Sequence, residues 1–155
     1  MEDQRRPYNA VSDFVDANVD RGWGDQVVFS DPTRELTYRA LETATCQFGR
    51  GFYALGLRPE SRILLLLLDT VDFPIAFWGA IRAGIVPIPL NTLLTAEQYA
   101  YILEDSRAEI VLFSAPLLNT LAPIVARATA CHTAIVVGAH DPVAKLDRVA
   151  TLTLD

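Results

Sequence analysis

Histidine and cysteine are the side chains best suited to nucleophilic, general-base and metal-binding chemistry, and this chain has two of each. Cys131 and His132 are adjacent, but neighbouring residues in an extended segment point to opposite sides, so they do not predict a catalytic dyad. Cys46 and His140 lie far from each other, and no pair among the four has metal-site spacing. We therefore predict no catalytic residue and no metal ligand, and we expect both cysteines to be buried free thiols.

Two short glycine clusters, GWG at Gly22–Gly24 and GRG at Gly49–Gly51, are the candidates for holding phosphate. A phosphate cradle uses glycine amides where a strand leads into a helix. Neither cluster opens a helix after a predicted strand, and the second lies inside a predicted helix. The single lysine, Lys145, follows no glycine run. We interpret these glycines as helix-end and packing residues.

Asp69 and Asp72 are the best candidates for a carboxylate acid–base pair. They flank the predicted start of a helix, where a carboxylate binds free amides and favours the helix dipole, so we predict a capping role. Glu104–Asp105, near a predicted helix end, is expected to be solvated. Phe73 and Phe77 lie one helical turn apart and should pack in the core, with a ligand wall as the alternative.

The composition is that of one folded domain. Apolar residues make up 51% of the 155 residues and charged residues 21%. The net charge of −6 argues against a nucleic-acid or anionic-membrane partner. The longest apolar run, Ile63–Leu68, is far shorter than the roughly 20 residues that span a bilayer, and no signal peptide begins the sequence. We expect a cytoplasmic protein.

Strands alternate with helices along the chain, which is the pattern of an open parallel sheet. We predict strands at 26–30, 35–37, 62–68, 86–90, 109–113 and 133–137. We predict helices at 9–21, 37–55, 71–83, from 95 onwards, and at 117–128. The first two strands should form a hairpin, and the prolines of the fourth should place it at an edge. The predicted fold class is therefore α/β, a three-layer subdomain with a mostly parallel sheet flanked by helices and a small N-terminal β-hairpin.

The pattern divides the chain into three parts. Residues 1–8 are expected to be a flexible N-terminus and residues 9–138 one subdomain. Residues 139–155 have no clear stripe and end on Thr151–Leu154 without a finishing element, so we interpret them as the start of a truncated continuation.

Four short segments occur in the order found in a known group of enzymes: Tyr8–Ala10, Leu36–Tyr38, Ala83–Pro87 and Asn91–Thr95. Together with the run 69–108, they resemble the N-terminal portion of the aromatic acid–CoA ligases. The resemblance is to the benzoate and 4-hydroxybenzoate–CoA ligase group of the AMP-forming acyl-CoA synthetase (adenylating enzyme) superfamily. It extends over about residues 8–137.

The resemblance implies a two-step reaction, in which an acid and ATP give an acyl-adenylate and coenzyme A then displaces AMP. The parent enzyme is expected to use ATP, Mg²⁺ and coenzyme A. None of the family's phosphate, ribose, metal or catalytic motifs is matched here, so no catalytic or cofactor-binding residue is carried over. Asn91, Thr92, Leu93 and Leu94 correspond to a rim of the CoA tunnel. Some members have a basic residue where this chain has Leu93, which puts the phosphate-holding part of that role in doubt.

We therefore interpret the chain as the first piece of an aromatic acid–CoA ligase, inactive alone and serving as scaffold. Its partner is expected to be the rest of the ligase chain, and a homodimer is a further expectation. Two alternatives remain. The chain could be a self-contained α/β module that binds a small ligand at a sheet crevice. It could also be an interaction protein that binds a full-length ligase.

Overall fold

The computed structural model describes residues 8–138 and the backbone of residues 150–154. Residues 10–23 form a helical segment with wide π-type turns at Ser12–Asp16 and Val19–Trp23, kinked at Gly22, whose φ is 86°. An antiparallel hairpin follows, formed by β1 (Val27–Ser30) and β2 (Glu35–Thr37). The predicted hairpin is confirmed. The flexible N-terminus expected over residues 1–8 lies, apart from Tyr8, outside the described residues.

A parallel sheet of five strands forms the centre of the molecule. Its strands are β3 (Arg62–Leu66), β4 (Val86–Pro89), β5 (Ile110–Ser114), β6 (Thr133–Val137) and β7 (Ala150–Leu154). Their order across the sheet is β4-β3-β5-β6-β7, and all neighbouring pairs run parallel. Strand β4 lies at an edge, as predicted from Pro87 and Pro89, because proline cannot donate to a second neighbour.

Four helices cover the two faces of this sheet. They are α1 (Tyr38–Ala54), α2 (Asp72–Arg82), α3 (Ala96–Ser106) and α4 (Leu118–Val125). Helices α1 and α2 pack on the first face, where Ile63 and Leu65 of β3 are buried. Helices α3 and α4 pack on the second face, against Leu64 and Leu66 of the same strand. Successive residues of β3 thus serve opposite cores, which explains its unbroken aliphatic sequence. The predicted three-layer α/β fold is confirmed.

Local chemistry fixes the two ends of the long helix α1. The Oγ1 of Thr37 accepts a hydrogen bond from the amide of Ala40 at 3.2 Å, which is the predicted N-cap. Gly56, just beyond the helix, has a φ of 89° that residues with a Cβ rarely adopt. The hairpin therefore delivers the chain directly into α1, and the turn at Gly56 returns it to the sheet.

One prediction for the last residues of the chain, that they form no finishing element, was wrong, while their interpretation as the start of a continuation stays a prediction. The chain was expected to end on Thr151–Leu154 without a further helix or strand. Instead, Ala150–Leu154 forms β7, which pairs in parallel with β6. An alternation of four residues is too short to predict a strand from the sequence alone. Pairing with β6 is what makes this segment a strand. The remainder of the predicted continuation, residues 139–149 and 155, lies outside the described residues. Within the described parts of the chain, no helix is long and apolar enough to cross a membrane.

Candidate functional site

The carboxyl ends of the parallel strands are the place where an open α/β sheet binds ligands. Strands β3 and β5 are neighbours whose following helices, α2 and α4, lie on opposite faces, so a crevice is expected between their ends. Here the Oγ of Ser114 accepts a hydrogen bond from the amide of Leu68 at 3.0 Å, and Ser114 is buried. This bond bridges the crevice. The geometry gives no support to the alternative of a small ligand bound at this position.

The predicted tunnel rim, Asn91–Leu94, forms the loop that follows β4 at the same edge of the sheet. The Tyr99 hydroxyl donates to the carbonyl of Asn91 at 3.0 Å and accepts from the amide of Leu94 at 3.2 Å. The Oδ1 of Asn91 accepts from the amide of Leu93 at 2.8 Å. The loop is thus held at three points by groups from its own segment and from α3.

One side chain of this firmly held loop is exposed to solvent. Leu93 is 88% exposed, while the Asn91 side chain is used inside the loop. Immediately afterwards, Thr95 and Gln98 form the predicted capping box, with each side chain bonded to the other residue's amide. The loop therefore presents a fixed apolar contact with no charge of its own. It can line a passage, but it has no group that could bind a phosphate as an ion pair.

Asp31, in the hairpin turn, is the most heavily hydrogen-bonded carboxylate of the described residues. Its Oδ2 accepts from the amide of Val71 at 3.0 Å, and its Oδ1 accepts from the hydroxyl and amide of Thr33 and the amide of Arg34. These bonds, led by that from Val71, hold the pKa of Asp31 well below its usual range. Asp31 thereby joins the hairpin to the start of α2.

The amide cap predicted for Asp69 and Asp72 was wrong, because Asp31 bonds the amide of Val71 from a distant part of the chain. Asp72 does lie in the first turn of α2, where a negative charge favours the helix dipole, as predicted. Neither carboxylate bonds a free amide of the α2 N-terminus. The Oδ2 of Asp72 instead lies 2.7 Å from a guanidinium nitrogen of Arg34 and accepts from the hydroxyl of Thr70. Sequence reasoning identified the turn at Asp31 but could not see that its carboxylate reaches α2.

Glu104 and Asp105, near the end of α3, are exposed as predicted, and Glu104 also has a hydrogen-bond partner. Its carboxylate is exposed but accepts hydrogen bonds from the hydroxyl and the amide of Thr129. These bonds, from the hydroxyl first, hold the pKa of Glu104 below its usual value. The pair ties the end of α3 to the loop before β6.

The remaining candidates for reactive side chains, the two cysteines and His132, do not form a common site. Cys131 is buried, and burial raises the pKa of its thiol to about 11, so it is not an activated nucleophile. The Nδ1 of His132 lies 2.9 Å from the Oγ1 of Thr133, and its Nε2 lies 3.8 Å from Glu109. Both cysteines are free thiols, as predicted, although Cys46 is only half-buried.

Neither glycine cluster is a phosphate cradle. Gly49 packs against α2, where an added Cβ would lie 3.4 Å from the carbonyl oxygen of Gly79. Gly22 and Gly24 lie at the end of the first helical segment. Among the described residues there is also no group of three His, Cys, Asp or Glu side chains that could hold a metal ion. The residues that the structure describes therefore do not fit ATP phosphates or Mg²⁺.

Phe73 and Phe77 stack at a centroid distance of 6.0 Å, as their spacing predicted. Both are half-buried and pack against the first-face core. They also line an open cleft of about 390 Å³ together with Phe29 and Trp78. The core interpretation is confirmed, with the exposed edges of the rings forming one wall of a surface cleft.

Residues 16–153, most of the sequence, match the family model of the AMP-binding enzymes. The chain belongs to this family. It is 51% identical over 133 residues to the 4-hydroxybenzoate–CoA/benzoate–CoA ligase of Rhodopseudomonas palustris, covering 86% of this chain and 25% of the relative. It is 38% identical to the benzoate–CoA ligase of Thauera aromatica, covering 84% of this chain and 25% of that protein.

A solved structure shows the same fold. The benzoate CoA ligase from Burkholderia xenovorans superposes with a TM-score of 0.77 at 36% identity, covering 83% of this chain and 26% of that one. The chain thus spans about a quarter of the length of the curated relatives that it matches. The superfamily resemblance drawn from the sequence is confirmed.

Proposed function

We propose that the chain is the N-terminal part of an ATP-dependent, AMP-forming ligase that joins benzoate or a hydroxybenzoate to coenzyme A. The observation that carries this proposal is the 51% identity to a 4-hydroxybenzoate–CoA/benzoate–CoA ligase, far above the 27% identity to a long-chain-fatty-acid–CoA ligase. Formation of an aromatic thioester would activate the acid for degradation. We place the enzyme in the cytoplasm, where a reducing environment suits its two free thiols.

Within such an enzyme, this part would act as scaffold and not as the chemical centre. The described residues present neither a phosphate cradle nor a metal cluster, and the buried serine at the sheet crevice is already bonded. ATP, Mg²⁺ and the aromatic acid would therefore be held by the remaining three-quarters of the ligase. We expect the 155-residue chain alone to release no pyrophosphate from MgATP and benzoate. Robust release by the pure chain would overturn this assignment.

The loop Asn91–Leu94 is the part of this chain that we assign to the substrate path, as a rim of the CoA tunnel. Its support is the rigid mounting by Tyr99 and the exposed apolar tip at Leu93. An apolar tip would contact the pantetheine arm without adding charge. In a complete ligase that contains this segment, Leu93→Arg should lower the KM for coenzyme A severalfold by adding a cation near its phosphates. Leu93→Gln, which is similar in length but neutral, should leave that KM unchanged.

The whole proposal can be tested with a hybrid ligase. In it, the 133 matched residues of the Rhodopseudomonas palustris enzyme are replaced by the corresponding residues of this chain. We expect the hybrid to form benzoyl-CoA and 4-hydroxybenzoyl-CoA at rates within about tenfold of the parent, since this segment supplies scaffold. The matched control is a hybrid that carries the corresponding segment of a long-chain-fatty-acid–CoA ligase, which should be much less active. A folded but inactive first hybrid would contradict the proposal.

A further inference from the structure

An apolar groove runs along α1 on the first face of the sheet. Its larger part is an open cavity of about 430 Å³ between α1 and β6, whose lining includes Gln47, Phe48, Gly51, Leu55 and Ile135. A second cavity of about 180 Å³ continues it to the carboxyl ends of the strands, past Gln47 and Phe48 to Val137. We call the two together the α1 groove.

The groove has the dimensions of a helix. Its lining residues on α1 recur at spacings of three and four, from Ala44 to Leu55, so they form one straight stripe. The eleven rises of about 1.5 Å between these two residues extend about 16 Å, which is three turns. At the carboxyl ends of the strands, the groove is bounded by the ion pair between Arg34 and Asp72. An occupant would need an apolar side of about three turns and a polar end.

Gly51 shows that the described residues leave this groove open. A Cβ added at Gly51 would meet no heavy atom within 4 Å, and Gly51, Gln47 and Ala54 are all exposed. The adjoining phenylalanines give the floor its apolar character, since Phe48 and Phe52 pack edge-to-face at 5.7 Å. Packed helices lie about 8–10 Å apart, the width of two strands, so a helix beside α1 would rest on β6 and β7.

A second copy of this chain does not fit the groove by symmetry. In a twofold dimer the same surface meets itself, so a groove needs its own protruding side chain to fill the partner's groove. The rim residues Gln47, Gly51 and Ala54 provide no large apolar side chain. Tyr53, also on α1, is 50% exposed, but it does not line the groove and its hydroxyl donates to the carbonyl of Ala83 beyond α2. Other protruding apolar side chains, such as Leu93 at 88% and Tyr101 at 69% exposure, lie on other elements.

The length of the relatives supplies a better occupant. The match covers only 25% of the Rhodopseudomonas palustris relative, and the family match continues into β7, the strand beside the groove. We infer that the α1 groove receives an apolar helix from the part of the ligase that this chain does not match. The inference rests on the proposed function, and it assigns the surface through which the scaffold holds the rest of the enzyme.

Gly51→Trp provides the test, because an indole at this position fills the groove. The matched control is Arg50→Trp, an exposed position on the same helix outside the groove lining. In the 155-residue chain Gly51→Trp should not lower the thermal midpoint, since glycine is a poor helix residue. Arg50→Trp should change that midpoint little, since position 50 is exposed. In the hybrid ligase, Gly51→Trp should lower the midpoint by several degrees and remove most thioester formation, while Arg50→Trp should change neither.

Each outcome of this test decides whether the α1 groove receives a helix from the rest of the ligase. A hybrid that tolerates Gly51→Trp as well as Arg50→Trp would overturn the inference. So would a Gly51→Trp variant that destabilises the 155-residue chain itself, or one that only converts a dimer of that chain to a monomer. If the hybrid makes no thioester but Gly51→Trp alone still lowers its midpoint, the docking surface stands and the proposed activity fails.

Discussion

Gly49 and Gly51 stand two residues apart on helix α1, yet their surroundings differ completely. At Gly49 the helix approaches α2 so closely that an added Cβ would lie 3.4 Å from the Gly79 carbonyl oxygen and 3.6 Å from the Ala83 side chain. At Gly51 the same addition would meet nothing within 4 Å among the described residues. One flank of α1 is closed by its own chain and the other is open.

The closed flank also has polar contacts that the open flank lacks. Arg82 of α2 bonds the carboxylate of Asp16 and the Oγ1 of Thr45, and so joins α2 to the first helical segment and to α1. Asp31 joins the hairpin to the start of α2. The comparison teaches that the N-terminal half of the chain is a finished unit on one side of α1. On the other side of α1, the α1 groove is the proposed interface with the rest of the ligase.

Gly79→Ala should have the largest effect on the closed flank. An added Cβ there would lie 2.6 Å from the Cβ of Phe48, and only movement of the helix backbones could relieve this contact. We expect a loss of about 1–3 kcal/mol in the free energy of unfolding, against a gain of roughly 1 kcal/mol in helix propensity. Urea unfolding of the 155-residue chain should show a lower midpoint. Gly49→Ala, whose added Cβ would make only ordinary contacts, should be milder. A midpoint for Gly79→Ala at or above that of the parent chain would contradict the close packing of this flank.

Asp31→Asn should have the next largest effect, and this effect should depend on pH. The lowered pKa means that the carboxylate contributes stability above its unfolded pKa of about 3.9 and loses it as the pH falls below that value. The variant should therefore unfold at lower urea than the parent at pH 7, and the difference should shrink towards pH 3. Asp25→Asn is the control, because the Asp25 side chain is 94% exposed. A difference independent of pH would rule out the charged cap.

Arg82→Met should have a smaller effect, since Arg82 and Asp16 are partly exposed and ion pairs of this kind contribute little. We expect a loss of about 1 kcal/mol, which includes the hydrogen bond to Thr45. A double-mutant cycle with Asp16→Asn should give a coupling energy of about 0.5–1 kcal/mol. Zero coupling would show that the ion pair does not hold α2 to the first helical segment.

Local chemistry explains which parts of the fold the sequence predicted. The caps at Thr37 and Thr95 and the turn at Gly56 depend on a few neighbouring residues, so they could be identified from type and spacing. The aliphatic run of β3 likewise predicts a strand buried on both faces. The strand β7 was missed because its pairing partner, and not its own residues, makes it a strand.

The site was predicted less well, because its contacts join distant parts of the chain. Asp31 is 40 residues from the amide that it caps, and Ser114 is 46 residues from the amide of Leu68. The loop Asn91–Leu94 was identified only through a resemblance, and nothing in its residues predicted that the Tyr99 hydroxyl would hold it. Such pairs become visible only when the sheet brings the strand ends together.

Gly51→Ala should have the smallest effect and the opposite sign, and it tests the open flank directly. In the 155-residue chain the added methyl group meets open space, so the gain in helix propensity of about 0.5–1 kcal/mol should appear in full as a higher urea midpoint. In the hybrid ligase the same methyl group should meet the docked helix, because packed helices leave little room at a glycine. The gain should therefore vanish or become a loss there. An equal gain in both proteins would mean that the flank of α1 at Gly51 stays exposed to water in the full-length enzyme.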